Sequence, residues 1–431
     1  MDREALSALL RSTPSVAVTG RVQAVTGLAV RFTLPGARIG DVVLIKRRGE
    51  PLSCQVVGFS GGEAVAMPLG DLAGVGPDDE VVATGGPLSV VVGGALLGRV
   101  VDGLGRPIDG GPPISGRSVS VERAPPAALE RPPIAASLAT GVRVLDALTT
   151  FGEGQRIGLF AGSGVGKSTL LGAIARGAEA DVVVVGLIGE RGREVVDFLE
   201  TALGQDGLRR SVVVVATSDA PALERLRAAE VATAIAESFR DEGKRVLLLV
   251  DSITRYARAQ REIGLAAGEP PTRRGYPPSV FAMLPRLLER SGRAARGSIT
   301  AIYTVLVEGG DLDEPIADEV RGILDGHVVL DRALAGRGRY PAVDALQSLS
   351  RVMDTVVSPE HRDAARKLRT LLGAYETKRD LITLGAYAKG SDRLVDDALS
   401  RMPRIEAFLA QDPRQTAALA TTVDALTRLV G

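Results

Sequence analysis

The sequence predicts a mixed fold: a small N-terminal β-barrel, an α/β core with a doubly wound parallel sheet, and a C-terminal helical domain. Three observations predict it. Short apolar or alternating runs separated by glycine turns fill residues 15–84. From residue 156, Val- and Leu-rich runs alternate with helical stretches, the pattern of strands buried on both faces. From about Leu346 the strand signals stop and helical periodicity takes over. The implied units are 1–85, 86–345 and 346–431.

Composition narrows the possibilities. Apolar residues make up 45% of the 431, enough to bury a substantial core. The 52 basic residues equal the 52 acidic ones, so no global charge argues for nucleic acid or an anionic membrane. One cysteine, Cys54, excludes an internal disulfide and fits a reducing compartment. No basic segment followed by a cleavable apolar one opens the chain. No apolar run approaches the roughly 20 residues that span a bilayer. The expectation is a soluble, cytoplasmic protein, at most peripheral to a membrane.

In order along the chain, residues 1–14 read as a short amphipathic helix or a loose arm. Predicted strands 16–24, 28–34, 41–47, 55–59 and 63–67 follow, broken by Thr26-Gly27, Pro35-Gly36, Arg48-Gly49 and Ser60-Gly61-Gly62. Thr84-Gly85-Gly86-Pro87 reads as a boundary. The Pro-rich stretch to Pro133 reads as an extended segment laid over a domain surface. Core strands are predicted at 156–160, 181–187, 211–216, 245–250 and 298–305, with a helix over 220–242. Leu368, Leu371, Leu372 and Tyr375 share one helical face, and helices follow at 395–399 and 417–430.

The stretch Ala161-Gly162-Ser163-Gly164-Val165-Gly166-Lys167-Ser168-Thr169, after a strand and opening a helix, is a P-loop with Ala161 at its first position. Glycines at 162, 164 and 166 can take backbone angles closed to other residues and turn successive N–H groups toward phosphate oxygens. The helix N-terminus adds partial positive charge. Lys167 can reach the β- and γ-phosphates, and the Ser168 hydroxyl can ligate Mg²⁺. Lysine is scarce in this chain, which makes Lys167 stand out.

A phosphate cradle only binds nucleotide. Hydrolysis also needs held Mg²⁺, an oriented water and positive charge on the transferring group. Asp251 ends the apolar run 246–250, where a carboxylate is costly unless it serves a cation or a hydrogen-bond network. Placed beside the P-loop strand it would orient a metal-bound water; the other reading is a cap for the next helix. Glu190, after a buried strand, can orient the attacking water, or can be a first-turn acid at a helix dipole. Glu194 is the rival base, one turn further on. Arg191, Arg255 and Arg351 are the candidate cations, each also readable as a surface ion pair.

These motifs resemble the type III secretion and flagellar export ATPases, cousins of the catalytic β subunit of rotary ATP synthase. The likeness rests on Glu190-Arg191-Gly192-Arg193-Glu194-Val195, on residues 251–265 and 268–281, and on Pro341-Ala342-Val343-Asp344-Ala345-Leu346-Gln347-Ser348-Leu349-Ser350-Arg351. It implies a RecA-like core in a homohexameric ring, with ATP and Mg²⁺ as cofactors. Lys167 and Ser168 would bind phosphates and Mg²⁺, Glu190 would orient the water, and Asp251 would be the acid of the metal site. Arg255 would approach the phosphates, Tyr340 would stack on adenine, and Arg351 would be an arginine finger reaching a neighbouring subunit. Implied partners are a central stalk protein, a stator or regulator, the export gate, and secretion chaperones with their substrates, at the cytoplasmic face of the inner membrane. No nucleic acid is expected.

Two departures are visible. Tyr387–Arg393 is not the dense acidic loop of the synthase β subunit, and residues 1–14 show no strongly amphipathic arm of the flagellar kind. The wording of 272–275 and 307–311 is closer to the injectisome branch than to the flagellar one. Residues 264–278, with Arg273 and Arg274, would lie near a ring's pore or form an ordinary polar loop with solvated arginines. Two rival functions remain: a Rho-like RNA motor, which wants stacking aromatics where the barrel offers Phe32 and Phe59, and a non-catalytic ring subunit, which usually lacks the carboxylate at position 190.

Overall fold

The structure is a computed structural model that describes residues 18–307 and 310–431. The predicted N-terminal arm and two residues of the 307–311 loop, Glu308 and Gly309, lie outside the described residues.

Six antiparallel strands close the barrel: β1 (Thr19–Thr26), β2 (Ala29–Thr33), β3 (Asp41–Lys46), β4 (Leu52–Ser60), β5 (Glu63–Pro68) and β6 (Glu80–Pro87), in the order β1-β2-β5-β4-β3-β6. Alternate residues such as Val30, Phe32, Ile45, Cys54, Val56 and Val81 point inward and fill it. Gly61 and Gly62, both at positive φ, make the two-residue turn between β4 and β5. Residues 84–87, read as a boundary, form the end of β6, which pairs with both β1 and β3. A strand ending in Gly-Gly-Pro looks like a linker, but without it the barrel would keep two open edges.

The next segment is corrected. β7 (Ser89–Val92) pairs with β9 (Arg117–Ser120), and between them β8 (Val100–Asp102) joins the core sheet as a parallel edge strand beside Ser211–Thr217. Val101 is fully buried, so this part is built into the core rather than laid over it. A three-residue strand whose partner lies over a hundred residues away carries no local pattern. A short pair, β10 (Ser137–Leu138) and β11 (Phe151–Gly152), leads into the core.

The core strands are β12 (Arg156–Ala161), β13 (Val182–Glu190), β14 (Ser211–Thr217), β15 (Arg245–Asp251), β16 (Gly292–Arg293), β17 (Ser298–Leu306), β18 (Gly326–Leu330) and β19 (Leu349–Ser350). Their order is β19-β18-β12-β17-β15-β13-β14-β8, with β16 on β17. β13 is buried at every position. Val182, Val184 and Ile188 enter one apolar cluster, and Val183, Val185 and Leu187 enter the other, on the opposite face. Helix Ala222–Asp241, rich in buried alanines, covers one face, and helix Lys167–Gly177 the other.

Three helices complete the chain: Pro359–Thr383, Arg393–Leu409 and Leu419–Val430. Ser358 and Asp392 cap the first two through their side chains. Leu368, Leu371 and Leu372 are buried on the predicted face. Gln411 fastens this region to the core. Its N–H donates to Tyr340 O at 2.9 Å, and its side chain bonds Arg143 N–H and Gly141 O.

Candidate active site

β12 delivers the chain to the P-loop. Ala161 is its last residue, paired with both β17 and β18 and wholly buried. The first P-loop position is therefore a strand residue, and a methyl group fits there. Gly164 and Gly166 take φ of +77° and +89°, as the motif requires, whereas Gly162 does not need a positive φ. Val165 is buried and anchors the loop from below, while Ser163, Ser168 and Thr169 are exposed. Helix Lys167–Gly177 starts at once, leaving its first N–H groups without helical acceptors and open to an anion.

Beside this cradle four side chains from three distant stretches of the chain meet. The Lys167 ammonium touches Asp251 Oδ1 and lies 3.3 Å from Glu190 Oε1. Arg255 Nη2 lies 3.2 Å from Glu190 Oε2. Glu190 and Asp251 are buried at the carboxyl ends of β13 and β15. Both alternative readings of these acids fall away. Ser252, not Asp251, caps helix Ile253–Ala266 through its side chain, and Arg191, not Glu190, is the residue at the head of helix Gly192–Asp197. Gly189 (φ +67°) breaks the register of β13 and makes room for Arg255, whose Cδ would sit 3.0 Å from a Cβ there.

Electrostatics follow from the packing. Burial pushes the Glu190 carboxyl up to about 7, helped by a hydrogen bond with Glu194 and by the Asp251 charge, against the pull of Lys167 and Arg255. The same bond draws Glu194 below its usual range. Burial alone would push the Lys167 ammonium down, but Asp251 and Glu190 hold it above its ordinary value.

The remaining predicted residues are dispersed. Asp251 was expected beside the P-loop strand; instead β17 runs between β12 and β15, because crossover connections rather than sequence order decide strand neighbours. The Arg191 side chain is 79% exposed, and among the described residues it pairs with Glu194 at 3.8 Å rather than with a group of the cradle. Arg351 is exposed and follows β19, at the amino end of β18, while the P-loop leaves the carboxyl end of β12. Tyr340, 43% exposed, lies over the P-loop: a Cβ on Gly166 would meet its ring at 3.4 Å. It borders a cavity of about 270 Å³ with Val142, Leu170, Ala173, Pro341 and Pro413. The part of that wall near residue 411 carried no sequence signal. Arg273 and Arg274 are not merely solvated; they face Asp318 at 3.3 Å and Asp311 at 3.6 Å.

Comparison with known proteins gives the following. Residues 141–350 match the ATP synthase alpha/beta family, nucleotide-binding domain, and residues 357–428 match the T3SS EscN ATPase C-terminal domain. The flagellum-specific ATP synthase of Bacillus subtilis (strain 168) is 52% identical over 435 residues, covering 100% of this chain and 99% of that protein. The type 3 secretion system ATPase of Xanthomonas euvesicatoria is 52% identical over 411 residues, covering 95% and 93%. The solved structure of the assembled ATPase EscN from the enteropathogenic E. coli type III secretion system superposes with a TM-score of 0.90 at 46% identity, covering 96% of this chain and 100% of that one. EscN in complex with its central stalk EscO gives a TM-score of 0.89.

Proposed function

The chain belongs to the export-ATPase branch of the ATP synthase alpha/beta family, and from that premise we propose that it hydrolyses ATP in a homohexameric ring that energises type III protein export. The observation that carries the chemistry is Lys167 lying between Glu190 and Asp251 at the carboxyl edge of the sheet. An ammonium held between two carboxylates is ready to exchange them for phosphate oxygens. Lys167 and the N–H groups of the loop hold the phosphates, Glu190 orients the water, and Arg255 sits beside it to meet developing charge. Tyr340 and the apolar cavity take the base. Arg351 serves a neighbouring subunit.

The donors suit Mg²⁺. Ser168 offers a hydroxyl, and Asp251 Oδ2 accepts no hydrogen bond from the described residues. No cluster of three or more His, Cys, Asp or Glu among the described residues could cage a metal alone. That fits an ion held largely by phosphates and water. When bound there, Mg²⁺ would neutralise the negative charge that develops on the phosphates.

We divide the chain at about residues 85 and 345 into crown, motor and helical units, the last facing secretion chaperones, substrates and export gate. EscN has a central stalk, EscO, in its solved complex; a stalk of that kind is the partner proposed here. Among the described residues no helix is long and apolar enough to cross a membrane, and the proposed location is the cytoplasmic face of the secretion apparatus. Relatives of equal identity come from flagellar and injectisome systems, so both remain readings of one function. Phosphate release from Mg-ATP, measured per chain across protein concentrations, tests the ring. Activity should climb as rings form. A monomer with full turnover would overturn it, and stimulation by RNA would favour an RNA motor.

A further inference from the structure

The interposed strand β17 raises a question. Asp251 and the P-loop belong to one site, yet their strands do not touch. β17 pairs Thr304 with Leu159 of the P-loop strand on one side and Tyr303 with Val250 on the other. Thr304 is therefore level with Asp251. Its hydroxyl donates to Asp251 Oδ1 at 2.6 Å, with Thr304 wholly buried and Asp251 2% exposed. A hydroxyl buried on the face of β17 that also carries Ile302 is costly without a partner, so its bond to Asp251 accounts for a polar residue at that place.

The two donors on Oδ1 differ in what happens next. Lys167 also touches Oδ1, but a nucleotide draws that ammonium toward its phosphates. Thr304 has nowhere else to go. It sits on a central strand with β12 and β15 on either side. When Lys167 leaves, Thr304 remains as the neutral donor on Oδ1, and Oδ2 has no hydrogen-bond donor among the described residues.

We infer that Thr304 is a positioning residue for hydrolysis: from the strand between the two halves of the site, it fixes the Asp251 carboxylate in the orientation that receives a metal-bound water. The inference rests on the proposed ATPase reading. It concerns Mg²⁺-dependent binding as well as turnover, so the two can fail separately.

The test compares wild type with Thr304→Val, which keeps the volume and loses the hydroxyl, and Thr304→Ser, which keeps the hydroxyl. A fluorescent non-hydrolysable ATP analogue is titrated with Mg²⁺ and with a chelator. Partners of this kind typically change metal affinity or activity about 10–100-fold. Thr304→Val should lose that factor from the affinity gained on adding Mg²⁺, with affinity in chelator unchanged. Turnover at saturating Mg-ATP should drop alongside, and Thr304→Ser should restore both. Thermal melts confirm that the variants fold. The inference is overturned if Thr304→Val keeps the full Mg²⁺ increment, or if Thr304→Ser is as impaired as Thr304→Val, since the methyl group and not the hydroxyl would then matter. A wild type that binds Mg-nucleotide but releases no phosphate would sink the ATPase reading, while the binding increment would still judge Thr304.

Discussion

Arg351 offers the sharpest test of assembly-dependent catalysis. Its backbone N–H donates to Asp325 O at 3.0 Å, next to the first residue of β18, whereas the P-loop departs level with Leu330 at the other end of that strand. Five residue steps at roughly 3.3 Å put the two about 16 Å apart along the sheet alone. A finger on this residue must then act in trans. Its loss should lower turnover ~10³–10⁵-fold, equivalent to about 4–7 kcal/mol of barrier, with nucleotide binding intact. The decisive assay mixes two dead proteins, Arg351→Ala and Lys167→Ala, in equal amounts and lets rings exchange subunits. In a head-to-tail ring with random mixing, about a quarter of the interfaces pair an intact P-loop with an intact finger. Phosphate release well above the sum of the separate proteins is the expected result. Mixed rings that form but stay silent, or an Arg351→Ala protein with normal turnover, would refute the reasoning.

Two other predictions follow from buried charge. In the role proposed for it, Glu190, pushed up to about 7 chiefly by burial, must be ionised to orient water, so log kcat/KM should rise with pH up to about 7 and level off above it. Glu190→Gln should erase this limb and cost ~10²–10⁴-fold in turnover; a wild-type profile flat from pH 6 to 8, on the order of one unit either side of that value, would contradict it. The second concerns stability. Glu237 and Arg290 form a bidentate pair at 2.9 and 2.8 Å, with side chains 1% and 4% exposed. Glu237→Ala strands the Arg290 guanidinium and should lower unfolding free energy by about 3–5 kcal/mol in a denaturant titration. A loss under about 1 kcal/mol would mean that Glu230 and water compensate the charge.

What the sequence disclosed about this site, and what it hid, divides by the range of the determining interaction. The P-loop, Glu190 and Asp251 were legible because each sits at the end of an apolar run, and burial there demands a chemical reason. The barrel was legible from its glycine turns, but its closing strand was not, since Gly85, Gly86 and Pro87 imitate a linker. Strand order was the deeper omission. A Val-rich segment announces a buried strand and says nothing of its neighbours, so Asp251 was set beside the P-loop when β17 separates them.

That separation changes how the site should be understood. Were β15 next to β12, the two halves could be joined by backbone hydrogen bonds alone. With β17 between them, side chains make the joint: Lys167 reaches across to Asp251 and Glu190, and Thr304 bonds Asp251 from the middle. Gly189 shows the same logic, because its missing side chain is what lets Arg255 close on Glu190. Side-chain joints of this kind can be remade by a ligand while the sheet stays whole. Phosphate can take Lys167 from its carboxylates without breaking a strand pair, so nucleotide can rearrange the buried charges of the site.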